Sequence, residues 1–321
     1  MLNDFATRTA FPLLSASLLV SAVQISRAEQ EPLPVVRSEM LVSTNWLVEH
    51  LTDGNLIVLQ IGRDRAQFDS GHIPGSRFLR IDDLVEQRPN SLNELPPVAD
   101  LRETFESLGV TERSRIVLVD DVGGVPAARA YFTLDYLGLG ERAALLDGGL
   151  TTWASESRGM SKEQLGITRG VFVPRIHREI LISTEQMQRL SVSAREGSKQ
   201  YSLLDARPVA EHSGVVRSES VSQAGHIAGS KSLHWKKLVG GNSRLLDAGK
   251  LVREFEEAGA MPGRAVITYC RTGMQSSFTY FVAKYLGYRV AMYDGSVYEW
   301  VRTPGNRLVS SPNPDEASTS R

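Results

Sequence analysis

Residues 117–132 read VLVDDVGGVPAARAYF and residues 266–281 read VITYCRTGMQSSFTYF. The two stretches align without a gap: an apolar run, a glycine-bearing loop, then a second run ending in Tyr-Phe. Working outward, further blocks repeat in the same order. LVST (41–44) returns as LIST (181–184), GHIPGS (71–76) as GHIAGS (225–230), DYLG (135–138) as KYLG (284–287), and DGGLTTW (147–153) as DGSVYEW (294–300). Matching blocks in one order mark a duplicated domain. The second copy carries an additional stretch around VVRSESVSQA (215–224).

Each copy alternates short apolar runs with helical patterns. The runs at 56–61, 116–120 and 143–146 answer those at 202–205, 265–269 and 289–293. Such runs, bounded by glycine and polar clusters, predict an α/β fold in each copy: a parallel sheet with helices on both faces. Ser43 and Ser183 are expected N-caps, and Gln186 completes a capping box with Ser183. The domains are placed at 40–154 and 180–303. Residues 155–179 lack a period and read as a linker, and the Ser-, Pro- and Asn-rich tail at 304–321 reads as disordered.

Composition narrows the function. The 321 residues include 36 Lys+Arg against 37 Asp+Glu, a formal net charge of −1. That balance carries no electrostatic footprint for nucleic acid or an anionic membrane. A single cysteine excludes an internal disulfide and every multi-cysteine zinc or iron–sulfur site. At the amino terminus, Arg8 precedes an apolar stretch over 10–23, and Ser26-Arg27-Ala28 supplies small residues for cleavage. This reads as a secretory signal peptide cut after Ala28, with a periplasmic or secreted mature protein. Asp4 and the scarcity of Arg count against a mitochondrial leader. The stretch is short for a spanning helix and contains Pro12, so no membrane span is expected in the mature chain.

Cys270 stands where the apolar run AVITY gives way to CRTGMQS, followed by the helical SFTYFVAKYL. A strand exit into a tight loop and a helix start is where open α/β folds bind ligands. Loop amides and the helix N-terminus, with the adjacent Arg271, would stabilise a thiolate. Gly273 permits the tight turn. Cys270 is therefore read as a nucleophile. The other marked residues read as structural: Arg63 aligns with Arg207 but lies in the copy without cysteine, and His72 and His226 recur identically in both copies. Trp153 and Trp300 are paired core residues, and Trp235 packs or walls a cleft. Asp120 and Asp121 lack a third metal ligand, Gly123-Gly124 lacks a nucleotide-loop pattern, and no metal or cofactor is expected.

The two-copy order, GHIPG and GHIAG, the DAR triplet at 205–207, CRTGMQS and the closing DGxxxxW blocks resemble the tandem-domain rhodanese family of sulfurtransferases. The resemblance spans about residues 40–303. It implies two rhodanese-like domains of which only the second is catalytic, since Asp121 stands where the alignment places Cys270. It implies a persulfide on Cys270, formed from a small anionic sulfur donor such as thiosulfate and discharged to a thiophilic acceptor such as cyanide or a thiol. Arg207 would clamp the donor, with Asp205 orienting Arg207 or a nearby hydroxyl. Arg271 follows the cysteine as in thiosulfate-using members, whereas Thr272 departs from their pattern. Ser276 would cap the helix or bond the persulfide. A monomer is expected.

Three rivals remain: a 3-mercaptopyruvate sulfurtransferase, a non-catalytic redox or persulfide sensor, and a cysteine-based phosphatase or arsenate reductase. The last usually needs an arginine six residues beyond its cysteine, where Ser276 stands here.

Overall fold

The computed structural model describes residues 35–261 and 263–311. The signal-peptide reading at 1–28 and the last part of the tail lie outside the described residues. The first copy comprises β1 (Leu41–Val42), α1 (Thr44–His50), β2 (Leu56–Gly62), α2 (Arg65–Ser70), β3 (Ser76–Arg80), β4 (Glu86–Arg88), β5 (Ser91–Glu94), α3 (Val98–Ser107), β6 (Arg115–Val119), α4 (Val125–Tyr136), β7 (Ala143–Leu146) and α5 (Gly149–Ser155). Its parallel sheet has the order β1-β7-β6-β2-β3, and β4 pairs with β5 as an antiparallel hairpin outside it. The predicted run at 116–120 ends as a strand at Val119. Asp120 instead turns its carboxylate back onto the amides of the following loop.

The second copy follows with α6 (Thr184–Arg195), β8 (Tyr201–Asp205), α7 (Val209–Ser213), β9 (Lys231–Ser232), α8 (Ala248–Glu257), β10 (Ala265–Tyr269), α9 (Met274–Tyr285), β11 (Val290–Met292) and α10 (Ser296–Trp300). Its parallel sheet has the same order, β11-β10-β8-β9, with the outermost strand reduced to a bridge between Leu181 and Met292. Ser183 caps α6, and the reciprocal bond from the Ser183 amide to Gln186 completes the capping box.

Both sheets are covered on both faces, which is why their strands are apolar throughout. The outer face of the first buries Val58, Val117, Leu146 and Trp153, and that of the second buries Leu203, Ile267, Tyr293 and Trp300. The inner faces share one continuous core, in which Leu59, Leu118, Tyr131 and Phe132 meet Leu204, Val266, Tyr280 and Phe281. Trp153 and Trp300 are core residues, as expected, each donating its indole N–H to a carbonyl, of Gly159 and Arg307.

The paired histidines have the expected local role. His72 stacks on Phe68 and His226 on His212, and each ring bonds the carbonyl of its stacking partner. Each also forms an antiparallel bridge to chain beyond its own domain, His72 with Ser161 and His226 with Val309. The second bridge corrects the tail. Residues 304–311 are tied down by Val309, by Arg307 below Trp300 and by the Leu308 amide on Gln223. The stretch after 155 has no helix or strand until Arg178–Ile180 and runs along the first copy, bonding His72, Glu106 and Leu137.

Helices α4 and α9 pack against each other at the centre. Tyr131 meets Phe281 and Phe132 meets Tyr280, edge to face, with centroids 5.0 Å apart in each pair. Asp135 of α4 is buried among Tyr280 Oη (2.6 Å) and Lys284 Nζ of α9. The DYLG and KYLG blocks thus place opposite charges at equivalent positions, and the two copies join through them. Removing one member of a buried pair leaves the other uncompensated. Asp135→Ala is expected to lower unfolding free energy by about 3 kcal/mol, read by urea denaturation. Tyr280→Phe should cost about 1 kcal/mol.

Candidate active site

Cys270 directly follows β10, at 1% exposure, and the chain turns through Gly273 (φ 85°) into α9. Two sets of contacts hold the loop. Its amide donates to Ser296 Oγ (3.1 Å), while its carbonyl and that of Arg271 accept from Val297 and Tyr298 (3.1 and 3.0 Å). Ser276 Oγ lies 3.5 Å from Cys270 Sγ and 3.0 Å from Gly273 O, so Ser276 both caps the loop and reaches the sulfur. Ser296 adopts φ 55°, a region disfavoured for residues with a Cβ, where the aligned residue of the first copy is Gly149. A side chain is held there because its oxygen engages the cysteine amide. Such local strain is typical of functional positions.

The first copy shows what this loop accommodates. Asp120 Oδ1 accepts from the amides of Val122 (2.8 Å) and Gly124 (2.9 Å), and Oδ2 accepts from Ala127 (2.9 Å). These amides form an anion-binding nest at a helix start, filled by the chain's own carboxylate. Burial raises the Asp120 pKa, and the three amides pull it back. In the second copy Tyr269 replaces Asp120, and its hydroxyl bonds Ser230 (2.6 Å) and the Ile227 amide (3.2 Å) instead. The matching amides, of Arg271, Gly273 and Ser276, belong to the loop that opens on Cys270. Asp121, at the cysteine position, accepts from Gln67 (2.6 Å).

The remaining predicted residues divide. Asp205 does orient Arg207, accepting from Nε (3.0 Å) and Nη2 (2.6 Å). Arg207, expected to clamp a donor, has a side chain only 2% exposed, and its Nη2 also bonds Gly225 O (2.8 Å). Burial works against its charge, but Asp205 outweighs burial and raises its pKa. Its Nη1 faces Glu211 at 3.9 Å, and Glu211 in turn grips Arg271. Asp205, Arg207, Glu211 and Arg271 thus form one chain of charges, and Arg271, at 32% exposure, is its solvent-facing end. Glu211 was legible only as a carboxylate one helical turn beyond Arg207. Arg63, at the aligned position, is an exposed partner of Asp82.

The first copy supplies contacts the motifs do not reveal. Asn93, at the end of β5, donates through Nδ2 to Thr272 Oγ1 (3.0 Å). Asp294 lies against Gly273, accepts from the Leu95 amide (3.2 Å), and is forked by Arg129 (2.6 and 3.1 Å). The signal for Arg129 was that it is one of two charges, with Asp135, in an otherwise largely apolar helical run. Trp235 walls the interface: it lies edge-on to Phe278 and next to Gly123 of the first copy.

A cavity of about 580 Å³ opens on the far side of Asp294, lined by Arg88, Ser91, Glu94, Thr184 and Glu299, and Cys270 does not line it. Burial, then the nearby Asp294, pushes Glu94 from its ordinary value near 4.5 up to about 7. Its contribution to stability is fully present below the lower value and is lost as pH rises through the upper one. Glu94→Gln should therefore match wild type near pH 4 and exceed its unfolding free energy by about 2 kcal/mol near pH 8. Urea titrations at both pH values check this.

Comparison with known proteins is consistent across sequence and structure. A family model described as the Rhodanese-like domain matches residues 43–156 and again 190–303. The chain is 31% identical to the sulfur carrier protein TtuD of Thermus thermophilus, over 82% of this chain and 93% of that one. It is 30% identical to a thiosulfate sulfurtransferase of Pseudomonas aeruginosa, over 83% and 95%. Among solved structures, the anaerobic ergothioneine biosynthesis enzyme of Chlorobium limicola superposes with a TM-score of 0.75. It shares 22% identity, over 86% of this chain and 71% of that chain, and supports the fold.

Proposed function

This chain belongs to the rhodanese-like domain family and is a sulfurtransferase, and from that premise we propose that it carries sulfur as a persulfide on Cys270, with thiosulfate as donor. The Cys270 thiolate attacks the outer sulfur of thiosulfate. The S–S bond breaks and its electron pair leaves with sulfite, so the sulfane sulfur stays on the enzyme. A cyanide or thiolate acceptor then attacks that outer sulfur and releases the Cys270 thiolate.

The observation that carries this reading is the contrast between the two loops. One copy has an amide cradle and fills it with Asp120; the aligned loop of the other has a tyrosine in place of Asp120 and Cys270 in place of Asp121. A loop that holds a carboxylate on three amides suits a thiolate and the anionic persulfide derived from it. Ser276 Oγ, 3.5 Å from the sulfur, is the hydroxyl that would follow the charge. Arg271 takes the donor-facing role once expected of Arg207, because it is the more exposed cation of the network. Asp205, Arg207 and Glu211 hold it, and Thr272 and Gly273 shape the adjoining turn. The export reading of residues 1–28 places this activity outside the cytoplasm, and N-terminal sequencing of the mature protein tests it.

3-Mercaptopyruvate is the alternative donor, since Thr272 departs from the thiosulfate pattern. Thiocyanate formation from cyanide should proceed faster with thiosulfate than with 3-mercaptopyruvate, and Cys270→Ser should abolish it. Mass spectrometry after donor treatment should show one added sulfur, about 32 Da, on wild type and none on the variant. Residual turnover by Cys270→Ser overturns the mechanism, and a preference for mercaptopyruvate overturns the donor assignment.

A further inference from the structure

The interface between the copies repeats its backbone grips but differs in its charges: Asp147 meets the partly exposed Arg244 at 3.6 Å, whereas Asp294 meets a buried arginine. The Leu95 amide donates to Asp294 Oδ2 (3.2 Å), and at the equivalent place the Leu245 amide donates to Asp147 Oδ1 (2.9 Å). Two residues earlier, Asn93 and Ser243 both adopt positive φ, 59° and 58°. Each copy therefore lays the same bent segment on the DG loop of the other.

The helix starts differ. A Cβ on Gly124, before α4, would strike the Phe278 ring, whereas one on Gly273, before α9, would strike Asp294 and come within 3.4 Å of Arg129 Nη1. Phe278 and Arg129 hold the same position in the aligned blocks. A phenylalanine thus closes the interface over the loop that lacks cysteine. Over the cysteine loop the chain places a wholly buried arginine, at 0% exposure, forked on Asp294 and bonded to Asn93 O (2.6 Å).

Stability does not account for this choice, because apolar packing commonly does as well as a buried ion pair or better. Orientation does. A bidentate guanidinium fixes a carboxylate in plane and direction. Asp294 so fixed lies against Gly273, and Ser296, two residues on, holds the Cys270 amide. Asn93 adds a direct bond to Thr272, so the first copy holds the loop itself at 272 and bears on 273 through Asp294.

We propose that Arg129, acting through Asp294 and Asn93, is a positioning residue for the Cys270 loop, so that the copy without cysteine completes the catalytic site. The turnover part of this inference rests on the sulfurtransferase reading; the reactivity of Cys270 does not.

The test compares Arg129→Phe, which copies the opposite side of the interface, with Arg129→Lys, Asp294→Asn and Asn93→Gly, the last keeping the positive φ accessible. Each full-length variant is measured for kcat and KM with thiosulfate, for the pH profile of Cys270 alkylation by iodoacetamide, and for Tm. Arg129→Phe is expected to lower kcat at least about ten-fold while KM changes less than about three-fold. Its alkylation profile should depart from that of wild type, because Asp294 loses the fork that fixes it against Gly273. Arg129→Lys should recover part of both effects. Asn93→Gly should lower kcat several-fold with Tm unchanged. If Arg129→Phe does not fold, Arg129→Lys and Asn93→Gly decide on the same readouts. Wild-type kcat and alkylation profiles across the folded variants overturn the proposal, whatever happens to Tm. A wild type inactive with every sulfur donor overturns the sulfurtransferase reading alone, and the alkylation profiles then decide the positioning role.

Discussion

Helices α4 and α9 begin at equivalent loops, and their packing against each other sets the distance from each loop to the opposite copy. The edge-to-face pairs Tyr131–Phe281 and Phe132–Tyr280, with Asp135 buried among Tyr280 and Lys284, leave little room for sliding. Because the helix starts are fixed, Gly273 lies under Asp294 and Arg129, and Gly124 lies under Phe278. The segment around Asn93 and Leu95 reaches the cysteine loop only because this contact brings it there.

The two copies carry aligned loops with different contents. In the first, Asp120 satisfies the loop amides internally, so no external anion is needed to stabilise the turn. In the second, Tyr269 directs its hydroxyl to Ser230, and Cys270 stands at the strand end. The same division appears at the interface, where Phe278 faces the first loop and Arg129 the second.

Much of this was legible in the order of residues. The repeated blocks located both domains, the Ser183–Gln186 capping box, the core tryptophans and the one loop that combines a strand exit, a cysteine and a glycine turn. Local patterns sufficed there, since caps, strand exits and helix starts depend on neighbours within a few residues. Arg207 shows the limit. Its place in the DAR triplet suggested a free clamp, but whether its guanidinium meets substrate or Asp205 and Gly225 O depends on a carbonyl 18 residues away. The tail shows it again, because Val309 is ordered by His226, far earlier in the chain.

The sequence by itself determined that the chain is two copies of one α/β domain and that only one of them carries a cysteine, at a strand exit into a glycine loop. Those conclusions follow from periodicity and from the chemistry of a single side chain. Only the tertiary structure decided that Asp120 fills the idle cradle, that Arg271 rather than Arg207 faces outward, and that Arg129 and Asn93 reach across to Asp294 and Thr272. Each is a contact between groups whose hydrogen-bonding capacity is evident in sequence but whose partner is not. Burial makes such groups find a partner, and the packing of the two copies selects it.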